Sequence, residues 1–480
     1  MKNITIILSA LLLFLLPSCK KYLDIKPKGI LIPEFYDDYV KLLNHKTMMS
    51  ADNPYVVYIT DDMLLGDLSV PFGQFQQGSE GQKNMYSFAH GSIFSAGTDD
   101  LLWQNAYKRI YTFNVVINNV LSCTDGNPKD KEALAAEAKV GRAFEYLLLV
   151  NTYAKDYDAN SAANDLGVPL VLSEDINKDY KRNTVREVYD QIFKDLNEAL
   201  PHLSATTPHR FKPSRQVGNA FMAKMYFYMK DYENARIYAE KALLDNSQLT
   251  NMKLYSINPA ANGFGRIYDA ATGKSYPEAK DNVESIYARY GDNLISLSRN
   301  VYASADLLAT YNHDLPPGAT DQRRLLFFAD NTFKLNGQLN FPGKSMWVPY
   351  VMFNSGFNTS ELFLIAAEGY ARKGEAQKAL ALVDKLRYNR INGNKDLPLV
   401  DAKMALKIVL EERRREFAFC GSMRLIDLKR LNREADWKKD IVHSAGSESW
   451  TLPANDLRYI LPLPPKVLSL NPSLPQYNRD

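Results

Sequence analysis

Two stretches of this chain set aromatic rings beside amides and carboxylates at short spacing. In the first, Asp67, Phe72, Gln74, Phe75 and Gln76 lie together, with Tyr86 and Phe94 following. In the second, Tyr290, Asp292 and Asn293 follow a strand-like piece at Ser285–Tyr290, and Trp347 and Tyr350 come just before a helical region. Sugar rings present apolar C–H faces and rims of hydroxyls. A site for them therefore needs an aromatic platform flanked by side chains that can pair with two hydroxyls at once. The candidate ligand residues on this reading are Asp67, Phe72, Gln74, Phe75, Tyr86, Tyr290, Asn293, Trp347 and Tyr350. For any single ring among them, core packing competes with ligand contact.

Bond-breaking chemistry is harder to find. Glu412 and Glu416 sit four apart on one helical face, the spacing of a carboxylate pair, but the run Arg413-Arg414-Arg415 between them favours the ionised form and leaves no site to hold a proton. Arg415 and Arg424 are the expected ion-pair partners of these glutamates. The six histidines form no H-E-x-x-H pattern, and Cys19, Cys123 and Cys420 are too scattered for a zinc knuckle. Gly337, Gly343, Lys344 and Ser345 miss the phosphate-loop spacing by one residue, and there is no G-x-S-x-G and no EF-hand loop. Asp61-Asp62 and Asp99-Asp100 could help hold a cation on a surface loop, but read more simply as solvated turns. No catalytic residue, metal or cofactor is expected.

The elements that must carry the loops are helical. Lys131 to Tyr153 has an apolar stripe rich in Ala, and Thr184 to Leu200 opens with Thr184 three residues before Glu187, the capping-box spacing. Between them Gly167-Val168-Pro169-Leu170-Val171 reads as extended. Ser214 to Lys230 with Glu233 to Asp245, and Thr359 to Lys373 with Glu375 to Arg390, repeat a pattern of small residues where two antiparallel helices touch and aromatics where they part. A fourth pair runs from Ala402 to Cys420 and on to Leu431. This is tetratricopeptide grammar. The expected fold is mainly α: about four helix pairs within residues 131–245 and 359–432, with irregular loop regions at about 50–100 and 247–355 and a few short strands. Insertions of that length in a helical scaffold usually carry function.

The chain starts with Met1-Lys2-Asn3, an apolar run from Ile4 to Leu16, and Leu16-Pro17-Ser18-Cys19. That is the form of an export signal, here residues 1–18, and Cys19 at its end has the position of an acylated cysteine. One domain, residues 19–480, would follow. The balance of 58 Lys and Arg against 55 Asp and Glu leaves a net charge of +3, too weak a field to recommend nucleic acid as a partner.

Several ordered motifs resemble the SusD/RagB family of outer-membrane nutrient-binding lipoproteins. Cys19-Lys20-Lys21-Tyr22-Leu23-Asp24 is similar to its lipidated leader. Trp103, Tyr107, Ile110 and Asn114 match its W-x3-Y-x2-I-x3-N helix, and Ala136 to Phe144 with Gly167 to Val171 matches the next helix and the extended element after it. Glu411 to Phe419 with Asp427-Leu428-Lys429-Arg430 matches its strongest signature, and Arg458 to Pro464 with Asn471-Pro472 its close. Cys420 stands where the family has Glu, and the Gly421-to-Arg424 turn is one residue longer. The resemblance assigns Trp103 and Trp450 to packing. It implies a cell-surface protein, lipid-anchored in the outer membrane through Cys19 and facing outward. Such a protein captures an oligosaccharide or polysaccharide and passes it to a SusC-like TonB-dependent transporter without chemistry. Two other classes remain open on the residues alone: a secreted glycoside hydrolase, which needs two carboxylates about 5 to 9.5 Å apart in a cleft, and a helical-repeat scaffold that binds only protein.

Overall fold

The computed structural model describes residues 33–51, 55–66, 75–175, 179–257, 267–291, 302–330, 334–335, 338–339, 345–347 and 353–479. Its scaffold helices, labelled in chain order, are α1 (Leu101–Asn119), α2 (Pro128–Tyr153), α3 (Val185–Ala199), α4 (Arg215–Tyr228), α5 (Tyr232–Asp245), α6 (Thr359–Arg372), α7 (Ala376–Arg387), α8 (Ala402–Glu416) and α9 (Met423–Leu431). The mainly helical, tetratricopeptide-like reading is met. From α1 to α8 each helix packs on the next, and α6 joins the two halves of the chain by packing on α5 as well as on α7 and α8.

Local chemistry fixes the ends. Asn127 accepts the Asp130 amide at 2.9 Å and Pro128 fills the first helical position, so α2 starts three residues before its apolar stripe does. The Thr184 box closes as its spacing predicts: Thr184 Oγ1 accepts from the Glu187 amide at 3.2 Å, and Glu187 Oε2 accepts from the Thr184 amide at 2.7 Å. At the α5–α6 crossing the backbones nearly touch. A Cβ on Gly369 would lie 2.8 Å from the Tyr232 carbonyl oxygen, so only glycine fits there.

The motif on α1 acts as a clamp. Tyr107 donates to the Pro169 carbonyl at 2.8 Å, and Asn114 Nδ2 to the Val171 carbonyl at 2.8 Å. Asn114 Oδ1 also accepts from Arg142 Nη1 at 2.8 Å, and Arg142 forms a bidentate pair with Asp195 of α3 at 2.6 and 2.9 Å. One amide thus fastens the extended 167–171 element to three helices. Trp103 is buried, edge-on to Tyr153 with ring centroids 4.9 Å apart.

Outside the helices, a small antiparallel sheet orders Met63–Leu64, Tyr302–Ala303, Met346–Trp347 and Phe328–Ala329. A hairpin of Ile441–Ala445 and Glu448–Leu452, absent from the sequence reading, packs His443 against Tyr86. Among the described residues no helix is long and apolar enough to cross a membrane. Cys19 and the export signal lie outside them.

Candidate functional site

The four-stranded sheet is where the two loop regions meet. Met63 pairs with Ala303 and Leu64 with Tyr302, while Met346 pairs with both Tyr302 and Ala329. Because all three pairings are antiparallel, Leu64, Tyr302 and Trp347 fall at one end of the sheet. Gly66, just beyond Leu64, accepts the Phe75 amide at 3.0 Å, which brings Phe75 to that end too. Regions some 240 residues apart in sequence are therefore tied by backbone hydrogen bonds.

Asp67, Phe72, Gln74, Asn293 and Tyr350 lie outside the described residues. Of the other candidates, Phe75, Tyr86 and Trp347 are buried. Phe75 rests on Trp450 at 4.9 Å between centroids. Tyr86 stacks on His443 at 4.2 Å, accepts the Leu65 amide at 3.1 Å and donates to the Ser444 carbonyl at 3.0 Å; desolvation pushes its phenol up to about 12. Trp347 is sandwiched by Phe353 at 5.7 Å and Phe419 at 5.1 Å. These three rings are packed inside the protein and offer no open face to a sugar. Tyr290 differs. Its backbone bridges residues 49–51 to Asn354, and its half-buried ring touches Phe211 edge-on at 5.1 Å.

Asn354 was not singled out by sequence reasoning, yet it organises this corner. Its Oδ1 accepts the Arg289 and Gly356 amides at 2.9 Å each, and its Nδ2 donates to the Tyr287 and Phe357 carbonyls at 3.0 Å each. A lone Asn in a polar loop carries no spacing signal that could have found it.

The signature on α8 and α9 is a buried ion-pair lattice. Glu412 pairs with Arg323 at 2.7 Å and with Arg415 at 2.8 Å, and Glu416 with Arg390 at 2.7 Å and Arg323 at 2.9 Å. The Arg415 pairing was expected; Arg424 instead holds Asp61, through two contacts of 2.8 Å. Burial opposes ionisation of both glutamates, but the Arg323 and Arg415 charges at Glu412, and Arg390 and Arg323 at Glu416, hold them below the usual carboxylate range. Neither is poised to give up a proton to a substrate.

Asp61 and Asp62 are not a solvated turn. Both are buried, Asp62 against Arg414 at 2.7 Å and Asp61 against Arg424 and Lys439 at 2.8 Å each. Asp100 is not solvated either: it caps α1 at the Leu102 amide at 3.0 Å and accepts from the Tyr55 and Tyr153 hydroxyls. A second carboxylate next to the first was the misleading feature; the arginines that claim Asp61 and Asp62 come from more than 350 positions away.

Two internal spaces of about 80 and 60 Å³ flank the Phe417–Ser422 turn and share Cys420 as a wall. Each has room for water molecules. Desolvation pushes the Cys420 thiol well up, so it is no thiolate nucleophile at neutral pH. Cys123 and Cys420 are unpaired. Among the described residues no group of three or more His, Cys, Asp or Glu could hold a metal.

Two family profiles match the chain: SusD-like_3, described as "Starch-binding associating with outer membrane", over residues 21–227, and SusD_RagB, "SusD family", over residues 357–479. SusD-like protein P2 of Formosa agariphila is 26% identical over 521 aligned residues, covering 96% of this chain and 97% of its own. A SusD superfamily structure from Bacteroides thetaiotaomicron superposes with a TM-score of 0.69 at 20% identity, covering 93% of this chain and 100% of that one. A SusD-like carbohydrate binding protein from Bacteroides vulgatus does so with a TM-score of 0.63 at 17% identity, covering 92% and 98%. The structural likeness shows a shared fold. With profiles of one family matching both the α1–α3 region and the α6–α9 signature, and a relative matching nearly end to end, the chain belongs to the SusD/RagB family.

Proposed function

We propose that this protein is a glycan-capture lipoprotein, anchored by Cys19 on the outer face of the outer membrane, that passes oligosaccharide to a SusC-like TonB-dependent transporter. The observation that carries the reading is the convergence of Gly66, Phe75, Tyr302 and Trp347 at one end of the small sheet. In sequence these residues border the segments that hold Asp67, Phe72, Gln74, Asn293 and Tyr350, and that adjacency supports placing the ligand at this end of the sheet. Tyr290 contributes a half-open ring. The starch-binding description of the matched profile and the carbohydrate-binding description of the Bacteroides vulgatus structure support the ligand class.

The arginine-locked state of Glu412 and Glu416 supports capture without hydrolysis. The test is affinity electrophoresis and calorimetry of the protein against a polysaccharide panel, with the same samples assayed for released reducing ends. Binding without product is the expected outcome. Product would overturn the reading in favour of a hydrolase, and absence of any binding would overturn the glycan assignment. The transporter is tested separately, by co-purification from outer membranes with a tagged full-length chain.

A further inference from the structure

His443 of the Ile441–Ala445 strand is 3% exposed and sits between two aromatic rings of the first loop region. It stacks on Tyr86 at 4.2 Å between centroids, with 12° between the planes, and on Phe88 at 4.5 Å with 26°. At the edge of the ring both nitrogens meet backbone carbonyls. Nδ1 lies 2.7 Å from the Tyr86 oxygen and Nε2 lies 2.9 Å from the Thr60 oxygen. A carbonyl oxygen only accepts, so each contact is a hydrogen bond only when that nitrogen carries a proton. A neutral imidazole carries one. Its other nitrogen would turn a lone pair toward a carbonyl oxygen less than 3 Å away, in a place with almost no water to intervene. The arrangement has the geometry of an imidazolium, which donates at both ends and is favoured by the two π faces that cover it.

We propose that His443 is an acid-closed latch between the C-terminal hairpin and the first loop region: doubly protonated, it ties the hairpin to both the Thr60 turn and the Tyr86 helix end, and on losing one proton it releases one of the two. The seam it crosses keeps other ties, among them the Tyr86 hydroxyl on the Ser444 carbonyl at 3.0 Å and Phe75 against Trp450 at 4.9 Å. Opening the latch therefore loosens the seam without parting it.

The charged groups around the ring come from several elements. Asp61 and Asp62 follow Thr60 in the chain and are held by Arg414, Arg424 and Lys439. Arg458 donates to the Phe88 carbonyl at 3.2 Å, and on the hairpin itself Asp440 precedes the first strand and Glu448 opens the second. Asp61 is the charge that acts on His443, and it favours the protonated ring. Burial opposes ionisation of Asp61, but Arg424 and Arg414 hold its carboxyl well below the usual range, so its charge is constant while His443 titrates. Desolvation draws the His443 imidazolium below its ordinary 6.5, against the pull of the Tyr86 and Thr60 carbonyls and of Asp61. The latch is accordingly open at neutral pH and closes as pH falls below 6.5. The contacts at both nitrogens are those of the closed state.

Nitrogen-15 nuclear magnetic resonance of ring-labelled histidine, paired with hydrogen exchange of the hairpin read by mass spectrometry, tests this. The expected result is one histidine, missing from the spectrum of His443→Phe, that passes from a singly to a doubly protonated ring below pH 6.5. Over the same interval the amides of residues 441–452 should gain about tenfold protection after correction for intrinsic exchange, the effect of one hydrogen bond from a charged donor. A ring that stays neutral until the protein unfolds, or one that titrates while hairpin protection stays level, overturns the proposal. So does a protection step that persists in His443→Phe, whose ring fills the slot between Tyr86 and Phe88 without a donor. If that variant fails to fold, exchange in the parent chain still decides: protection that is level from neutrality to about pH 5 removes the latch.

Discussion

Arg424 grips Asp61 with both arms of its guanidinium, at 2.8 Å each, across 363 residues of sequence. The contact ties the first loop region to the turn into α9. Asp61 also serves Arg414 at 3.2 Å and Lys439 at 2.8 Å, so it is one carboxylate answering three cations.

That asymmetry yields a prediction. Asp61→Ala takes from largely buried Arg424 its bidentate partner and from Arg414 and Lys439 one partner each, Arg414 keeping Asp62 and Lys439 keeping Asp306, and is expected to cost about 3–5 kcal/mol. Arg424→Ala leaves Asp61 with two partners and is expected to cost less. Urea unfolding midpoints of the two variants decide it, and equal losses would refute the claim that Asp61 is the hub.

Acid should dismantle the lattice in a defined window. In Asp61, Glu412, Glu416, Glu368 and Asp427, desolvation raises the carboxyl pKa but neighbouring arginines outweigh it, and the folded values lie below the ordinary ones of 3.8 and 4.5. Their stabilisation is therefore complete above those ordinary values and is lost as pH falls below them toward the folded ones. Asp62, Asp100, Asp195, Glu284 and Asp384, raised mainly by burial, work in the opposite sense but are outnumbered by the lowered set, which also includes Glu187, Asp306 and Asp456. The urea midpoint is expected to hold from neutrality to about pH 5 and to fall steeply by about pH 3. A midpoint that rises over that interval would contradict the ion-pair account.

Gly167 faces backbone on its open side. A Cβ there would sit 2.8 Å from the Thr184 carbonyl carbon and oxygen and 2.9 Å from the Asn183 oxygen. Gly167→Ala is expected to cost about 1–3 kcal/mol by overpacking, seen as a lowered melting temperature. A neutral result would mean the 167–171 element shifts freely, contrary to its clamping by Tyr107 and Asn114.

Two of the candidate aromatics should separate cleanly. Trp347→Ala removes a ring that is 1% exposed and is expected to cost about 3–5 kcal/mol of stability. Tyr290→Ala removes a half-buried ring and should leave the melting temperature nearly unchanged while weakening glycan binding. Equal affinity in Tyr290→Ala and the parent would remove Tyr290 from the proposed site.

Much of the helical scaffold was legible because its signals are local. The Thr184–Glu187 box, the break between Lys373 and Glu375 and the small residues on the touching faces of α4 to α6 each lie within one or two turns of the residues they govern. The site was less legible because its contacts are not local. Trp347 and Tyr86 have the composition of a sugar platform, but whether a ring faces solvent depends on Phe419 and His443, which are distant in sequence. Asp61 and Asp62 looked like a hydrated turn until α8 and α9 brought Arg414 and Arg424 onto them. Arg424 was paired with the wrong acid for the same reason: helical spacing nominates neighbours on one face, while a buried guanidinium takes whichever carboxylate the fold delivers in bidentate geometry.

The small sheet has an evolutionary implication. Its strands are held by peptide groups, and Leu64–Tyr302 or Met346–Ala329 pair through atoms that every residue except proline possesses. The segments that adjoin it in sequence can therefore exchange their side chains, and even change length, with little penalty to these strand pairings. A lineage built on this frame can retune what it recognises while conserving the α8–α9 lattice, so divergence among relatives should gather beyond Gly66, before Tyr302 and after Trp347.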